Sequence, residues 1–342
     1  MDNNTESVSV IIPAFNEEGS ISESVKNVRS VLSKAGIQHE IIIVDDGSTD
    51  NTCSLAIKTG AKVIRHKKNT GYGASLKTGM SVAKNDMIVI TDADGTYPSK
   101  YLPELIGKMK EADMVVGART GQNVRIPVVR KPAKWVLGRL ANYVTGENIK
   151  DLNSGLRVFR REIAEQYLNI LPQKFSFTTT ITVAMFCDGY DVVYVPIDYH
   201  KRTGKSKIVP WDFFNFMTLV VRLSMLLNPL KIFLPIAFTS FAIGFIKLLA
   251  DVIIALGKLN DYSFASLFNQ AVVSSTSLIF LLASLQILLI GMVGDGIVRK
   301  FGPKNYRKGH HYVVESDFIE TEKASEESGS SNKTGKGTAK KH

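Results

Sequence analysis

Val89-Ile90-Thr91-Asp92-Ala93-Asp94-Gly95-Thr96-Tyr97-Pro98 is an apolar run that stops in two carboxylates one residue apart, followed by glycine and proline. Alternate residues of a strand share a face, so Asp92 and Asp94 point to the same side at the strand's C-terminal end. In an open α/β sheet that end is where ligands bind. Two hard oxygen ligands there suit Mg²⁺ or Mn²⁺, which usually completes its shell with substrate phosphates. The competing reading is a surface turn, since Asp, Gly and Pro all form turns.

The flanking sequence repeats the pattern. Val8 to Pro13 reads as a buried strand, and Asn16-Glu17-Glu18 opens a helix running to about Ala35. Glu40 to Val44 is a second strand that ends in Asp45-Asp46-Gly47-Ser48-Thr49-Asp50, with a helix to about Lys58. Ala61 to His66 is a third strand, Gly71-Tyr72-Gly73 a loop, Ala74 to Lys84 a helix and Asp86 to Thr91 the fourth strand. Met114 to Arg119 and Val192 to Pro196 add two more. This rhythm predicts an α/β fold with a mostly parallel sheet, helices on both faces and right-handed crossovers. Three strands thus deliver polar or acidic residues to one edge. Helix capping by Ser48 or Asp50 would explain one such end. Three in succession describe an acidic crevice suited to a metal and a nucleotide diphosphate.

Beyond the sheet the composition changes. The chain has 342 residues and 44% hydrophobic content, unevenly spread. Residues 232–256 and 271–293 are almost uninterrupted apolar sequence, each long enough to cross about 30 Å of hydrocarbon as a helix. Lys247 and Asp251 lie inside the first, four residues apart and able to pair. Arg222 and Lys231 precede the two spans, Arg299, Lys300, Lys304, Arg307 and Lys308 follow them, and only Lys258 lies between. The positive-inside bias then predicts a multi-pass protein of the cell membrane, with the N-terminal α/β domain and both termini cytoplasmic.

Residues 207–228 mix Trp211, Phe213, Phe214 and Phe216 with Asp212 and Arg222, an amphipathic pattern suited to a membrane interface. Residues 122–150 carry Arg125, Arg130, Lys131, Lys134 and Arg139 among apolar residues. They read either as a helix packed on the sheet or as an anion- or membrane-facing surface. From about Glu315 the chain is Ser, Lys, Glu and Gly and cannot build a core. The organisation expected is an α/β domain at 1–206, an amphipathic juxtamembrane segment at 207–230, a two-helix hairpin at 231–298, and a basic, then disordered, tail at 299–342.

The net charge is +10. Anionic headgroups and a phosphorylated ligand explain it, whereas no zinc-ligand spacing, helix-turn-helix pattern or base-stacking motif points to nucleic acid. Cys53 and Cys187 are far apart and read as small buried hydrophobes in a reduced compartment. The polar N-terminus, Met1 to Ser7, does not read as a signal peptide.

V-S-V-I-I-P-A-F-N-E-E (Val8 to Glu18), I-I-I-V-D-D-G-S-T-D, G-Y-G-A-S-L-K-T-G and D-A-D-G-T-Y-P together resemble family 2 glycosyltransferases of the GT-A (Rossmann-like) fold. Asp151-Leu152-Asn153-Ser154-Gly155-Leu156-Arg157 resembles that family's D-x-x-S-G-x-R segment. Arg202 to Lys207 resembles the R-x-G-x-S-K signature of its polyprenyl-phosphate branch, the dolichyl-phosphate mannose synthase-like enzymes. The two C-terminal spans resemble bacterial polyprenyl-phosphate glucosyltransferases of that branch.

This resemblance implies that Pro13, Phe15, Glu17, Val44 and Asp46 hold base and ribose, and that Asp92, the Ala93 backbone and Asp94 hold ribose, diphosphate and Mg²⁺ or Mn²⁺. It implies that Arg119, Arg202 and Lys207 grip phosphates. Asp151 would lie near sugar and acceptor, as a general base or to position the sugar or basic partners. Phe15 stands where tyrosine is frequent. Thr96 stands where the mannose-transferring enzymes have a glutamine metal ligand, so it is a metal-shell candidate that weakens a mannose assignment.

The function implied is inverting, metal-dependent transfer of one sugar from a nucleotide-sugar donor to a polyprenyl phosphate at the lipid bilayer. UDP-glucose or UDP-N-acetylhexosamine is preferred over GDP-mannose, and a homo-oligomer stays open. Glycines 71, 73 and 79 do not have dinucleotide spacing. A processive polysaccharide synthase lacks its Q-x-x-R-W motif here. A non-catalytic membrane scaffold is opposed by the intact Asp46, Asp92, Asp94 and Arg202.

Overall fold

In a computed structural model, residues 7–121, 131–174, 176–200, 212–257 and 273–301 are described. Arg202, Lys207, the 258–270 turn and the tail from about Glu315 lie outside the described residues, as do 122–130 of the basic segment and Trp211.

Seven strands form one sheet, in the spatial order β3-β2-β1-β4-β6-β5-β7. They are β1 (Ser7–Ala14), β2 (Gln38–Asp45), β3 (Lys62–Arg65), β4 (Met87–Ile90), β5 (Met114–Ala118), β6 (Arg157–Arg160) and β7 (Val192–Pro196). All pairings are parallel except those of β6, which runs antiparallel between β4 and β5. Sequence reading misses β6. Four residues inside a polar motif carry too little alternation to signal a strand.

Period-two alternation sorts the core into two layers. Val8, Val10 and Ile12 of β1 and Ile41 and Ile43 of β2 pack against Ile21, Val25, Val28 and Leu32 of α1 (Ile21–Lys34). Their neighbours Ile11, Ile42 and Val44 face the opposite way, onto Leu76 and Met80 of α3 (Tyr72–Val82) and Phe177 and Ile181 of a helix at Phe177–Cys187. Both faces are therefore covered, as a central parallel sheet requires. Three further helices, Thr52–Lys58 (α2), Leu102–Gly107 (α4) and Lys131–Thr145 (α5), complete the first part of the domain. Arg161–Gln166 (α6), the Phe177–Cys187 helix (α7) and Asp212–Leu227 (α8) follow.

Two helix starts differ from expectation. α1 begins at Ile21 rather than at Asn16, because Asn16 sits at φ 53°. The backbone amides of Asn16 and Glu17 are spent on the Ser48 and Thr52 hydroxyls, at 2.9 and 2.8 Å. α3 begins at Tyr72, so the expected Gly71-Tyr72-Gly73 loop is a helix start. A side chain at Gly73 would lie 2.2 Å from the Pro172 carbonyl oxygen, so only glycine lets the 172–174 backbone approach.

Pro229–Gly257 (α9) and Ser275–Phe301 (α10) form the C-terminal hairpin. Both are long and apolar enough to cross a membrane, and most of their large side chains face outward. Gly244 packs on Phe280 and Leu281, and Gly291 on Phe233, so the two backbones approach closely. Lys247 pairs with Asp251 as the spacing predicts, and Asp251 also accepts from the Ser274 and Ser277 hydroxyls at the start of α10.

Candidate functional site

The strands end together. Ala14 of β1 is in register with Asp45 of β2, Ile11 with Ile90 of β4, and Ile90 with Arg157 of β6. The loops that leave β1, β2, β4 and β5 therefore meet the 151–156 segment entering β6. Between them lies a cleft of about 410 Å³. Of the residues singled out from sequence, Pro13, Phe15, Glu17, Asp46, Asp92, Ala93, Asp94 and Arg119 line it.

Each acidic residue is aimed by specific donors. Asp46 accepts from the Thr70 amide and hydroxyl at 2.9 and 2.8 Å, the Gly71 amide at 2.8 Å and His66 Nδ1 at 2.8 Å. Burial alone would raise its pKa, but these bonds to the ionised form outweigh burial and lower it. Asp94 Oδ1 accepts from the Thr96 amide at 3.1 Å and its hydroxyl at 2.6 Å. Gly95, at φ 70°, makes that tight turn. The Ala93 carbonyl between the two acids accepts from the Ser24 hydroxyl of α1 at 2.9 Å. Asp92 Oδ1 accepts from the Tyr72 hydroxyl at 3.1 Å. Burial, with Asp92 beside it, holds the Tyr72 hydroxyl well above its usual pKa, so it stays protonated as a donor.

Three candidates sit elsewhere than expected. The Val44 side chain is fully buried in the α3-side core, because its position on β2 alternates away from the cleft. Thr96 is likewise fully buried; its hydroxyl orients Asp94 from behind instead of opening into the cleft. Asp151 is 1% exposed and does not line the cleft. Its Oδ2 accepts from Arg119 Nε at 2.7 Å and from the Arg119 amide at 3.0 Å, and its Oδ1 from Arg119 Nη2 at 2.8 Å. The fork geometry is that of a bidentate guanidinium–carboxylate pair.

Other cleft residues carry weak signals in the sequence. Tyr72 stands in a glycine-rich stretch that reads as a loop. Tyr97 follows the paired aspartates, accepts from the Gly155 amide at 2.7 Å and meets Tyr199 edge-on at 5.2 Å. Arg119 lies over the Tyr199 ring at 5.3 Å. Gly155 approaches so closely that an added Cβ would stand 2.8 Å from Asp92 Oδ1. Arg157, fully buried, fastens this segment by donating to the Ser154 carbonyl at 2.6 Å and to the Thr178 carbonyl at 3.1 Å.

No cluster of three or more His, Cys, Asp or Glu side chains suited to a metal occurs among the described residues. Asp92 and Asp94 thus offer a two-carboxylate donor set, which fits a Mg²⁺-like ion that draws its other ligands from water and substrate phosphate.

Residues 9–168 match the family described as Glycosyl transferase family 2, and residues 228–299 match the GtrB C-terminal hairpin. A dolichyl-phosphate hexose transferase of Haloferax volcanii is 29% identical over 206 residues, covering 60% of this chain and 87% of that protein. An undecaprenyl-phosphate 4-deoxy-4-formamido-L-arabinose transferase of Klebsiella pneumoniae is 27% identical over 329 residues, covering 94% of this chain and 96% of the other. Among solved structures, glucosyl-3-phosphoglycerate synthase from Mycobacterium tuberculosis with Mn²⁺, UDP and phosphoglyceric acid superposes with a TM-score of 0.53 at 18% identity, over 64% of this chain and 78% of that one. The same protein with Mg²⁺ and UDP gives a TM-score of 0.52 at 20% identity, over 64% of this chain and 79% of that one. At such identities the likeness concerns the fold, and it agrees with the expected GT-A architecture.

Proposed function

This chain carries a glycosyl transferase family 2 domain joined to a GtrB C-terminal hairpin, and we propose that it transfers one sugar from a nucleotide-sugar donor to a polyprenyl phosphate at a membrane. The observation that carries this reading is the cleft itself. Asp46, Asp92 and Asp94 converge there with Phe15 and Arg119, in a chain that continues into two apolar helices. The relatives named as dolichyl-phosphate and undecaprenyl-phosphate transferases support the acceptor class.

In this reading Phe15 stacks on the base, while Pro13, Glu17 and Asp46 hold base and ribose. Asp94 and Asp92 hold Mg²⁺ or Mn²⁺, which when bound supplies positive charge against the donor diphosphate. Arg119 approaches the phosphates from the opposite wall. The acceptor phosphate oxygen attacks the anomeric carbon as the bond from that carbon to the β-phosphate oxygen breaks, so the nucleoside diphosphate leaves and the configuration inverts. A phosphate monoester is already anionic at neutral pH and needs little help from a base. That chemistry agrees with the geometry of Asp151, whose two oxygens face Arg119: it supports a positioning role for Asp151 over a general base. Arg202 and Lys207, by sequence resemblance, would add phosphate contacts.

The donor proposed is UDP-glucose or a UDP-N-acetylhexosamine. Thr96 supports this over GDP-mannose, because its hydroxyl is committed to Asp94 where a mannose enzyme would have a glutamine ligand. The test is to incubate membranes containing the protein with labelled sugar nucleotides and polyprenyl phosphate, with and without Mn²⁺ or Mg²⁺. Mild-acid-labile lipid product from a UDP-sugar, abolished by chelator, is the expected result. Product from GDP-mannose alone would reject the donor, and no lipid product from any donor would reject the function.

A further inference from the structure

α5 has one face in the core and another that stays largely exposed. Leu137, Ala141 and Val144 pack with Val220 and Leu223 of α8. Trp135, Arg139 and Tyr143, at i, i+4 and i+8, form a stripe on the far side. Trp135 is 66% exposed and Tyr143 51%, uncommon for aromatic rings on a soluble surface. The Arg139 guanidinium lies 5.8 Å from the Trp135 ring centroid, which keeps aromatic and cation together.

The stripe is tied to the hairpin. The Tyr143 hydroxyl donates to the Lys231 carbonyl at 2.8 Å, and Lys231 Nζ donates to the Val144 carbonyl at 2.8 Å, capping the end of α5. Lys231 is the third residue of α9, so these bonds sit where the first apolar helix begins. Met225 and Leu226, just before it on α8, are 43% and 50% exposed. Trp and Tyr with basic residues at the start of a membrane helix match the composition of the headgroup layer, where cations meet anionic lipid.

We propose that the Trp135–Arg139–Tyr143 stripe is a membrane-docking surface that seats in the headgroup layer of the leaflet where α9 enters, with Arg139 on anionic lipid phosphate. α5 is followed within a few residues by Asp151, which holds Arg119, and by Asn153 and Gly155, which line the cleft. Docking α5 therefore fixes the height of the cleft above the bilayer, through a contact additional to the hairpin.

The inference rests on the hairpin's being the membrane anchor, and the test separates the two. Trp135 and Trp211 are the only tryptophans in the sequence. The full-length Trp211→Phe protein is reconstituted into vesicles of phosphatidylcholine with or without phosphatidylglycerol. Trp135 emission is read against brominated lipid and against aqueous iodide. A second protein, Trp135→Phe/Trp211→Phe/Leu285→Trp, reports on the hairpin. The expected result is a blue-shifted Trp135 emission that brominated lipid quenches and iodide does not, with deeper lipid quenching when phosphatidylglycerol is present. Arg139→Gln should erase that lipid dependence.

If position 285 is quenched by lipid while Trp135 answers to iodide alone, the docking surface is overturned and the anchor stands. If neither position is quenched by lipid, the anchor itself falls. If Trp135 is shielded from both quenchers, a second copy or another part of the chain covers the stripe and the proposal fails. Equal quenching with and without phosphatidylglycerol would overturn the assignment of Arg139 to anionic lipid.

Discussion

Asp94 and Asp151 are both buried carboxylates at one edge of one sheet, yet the two walls of the cleft hold them differently. On the β1–β2–β4 wall, Thr96 aims Asp94 with a neutral hydroxyl and amide, and Tyr72 does the same for Asp92 with its own hydroxyl. Such bonds fix direction and leave the carboxylate its charge. On the wall from β5 to β6, Asp151 meets a guanidinium through both oxygens. That contact fixes direction and also cancels charge. The first arrangement prepares a carboxylate to meet a cation, whereas the second prepares a cation, Arg119, to stand at the rim.

The sharpest way to break this contrast is to remove one carboxylate from each wall. Asp151→Ala leaves a largely buried guanidinium without its fork partner, so the expected loss of stability is about 3–5 kcal/mol, read by thermal or denaturant unfolding in detergent. The double change Arg119→Met/Asp151→Leu should regain much of that stability without regaining transfer activity. Asp94→Asn is expected to do the reverse, with a small change in unfolding but a drop in kcat of roughly 10²–10³. If Asp151→Ala unfolds normally and Asp94→Asn is the unstable variant, the two walls have been assigned the wrong way round.

A smaller effect tests the aiming itself. Tyr72→Phe keeps the ring and deletes the hydroxyl that donates to Asp92. A net hydrogen bond is worth about 0.5–1.5 kcal/mol, so kcat/KM should fall roughly two- to thirteenfold, with little change in melting temperature. Unaltered kinetics over a range of Mn²⁺ concentrations would mean that Asp92 does not depend on Tyr72 for its orientation.

The same contrast explains what could be read in the sequence. The β1–β2–β4 wall is built from local signals: each apolar strand runs directly into its polar loop, which marks Asp46, Asp92 and Asp94, while Phe15 is marked only by the family resemblance. The alternation that buries Val44 was also in the sequence, but a motif-based assignment overrides it. The other wall depends on contacts between distant segments. Arg119 and Asp151 are separated by 32 positions, and nothing local indicates that they consume one another. β6 is four residues long and antiparallel, and its pairing follows from the β4 and β5 edges it fits between rather than from its own pattern. Tyr199 enters the cleft from the loop after β7, where no motif marks it. The apolar helices needed no such context, because their length and composition suffice.

The weakest expected effect concerns Asp46, which belongs to the first wall yet stands on a charge-sensitive network. Hydrogen bonds from His66, Thr70 and Gly71 outweigh the cost of burial and lower its pKa in the folded protein. A lowered folded pKa means that the ionised carboxylate stabilises the fold. That contribution is full above the unfolded value of about 3.9 and is lost as pH falls through the folded one. Comparing wild type with Asp46→Asn by thermal unfolding from about pH 6 down to about pH 3 should therefore show a gap in stability that narrows with acid. A gap that stays constant over that range would mean that the Asp46 charge is not what Thr70 and Gly71 are holding. The neutral-donor description of this wall would then apply to Asp92 and Asp94 alone.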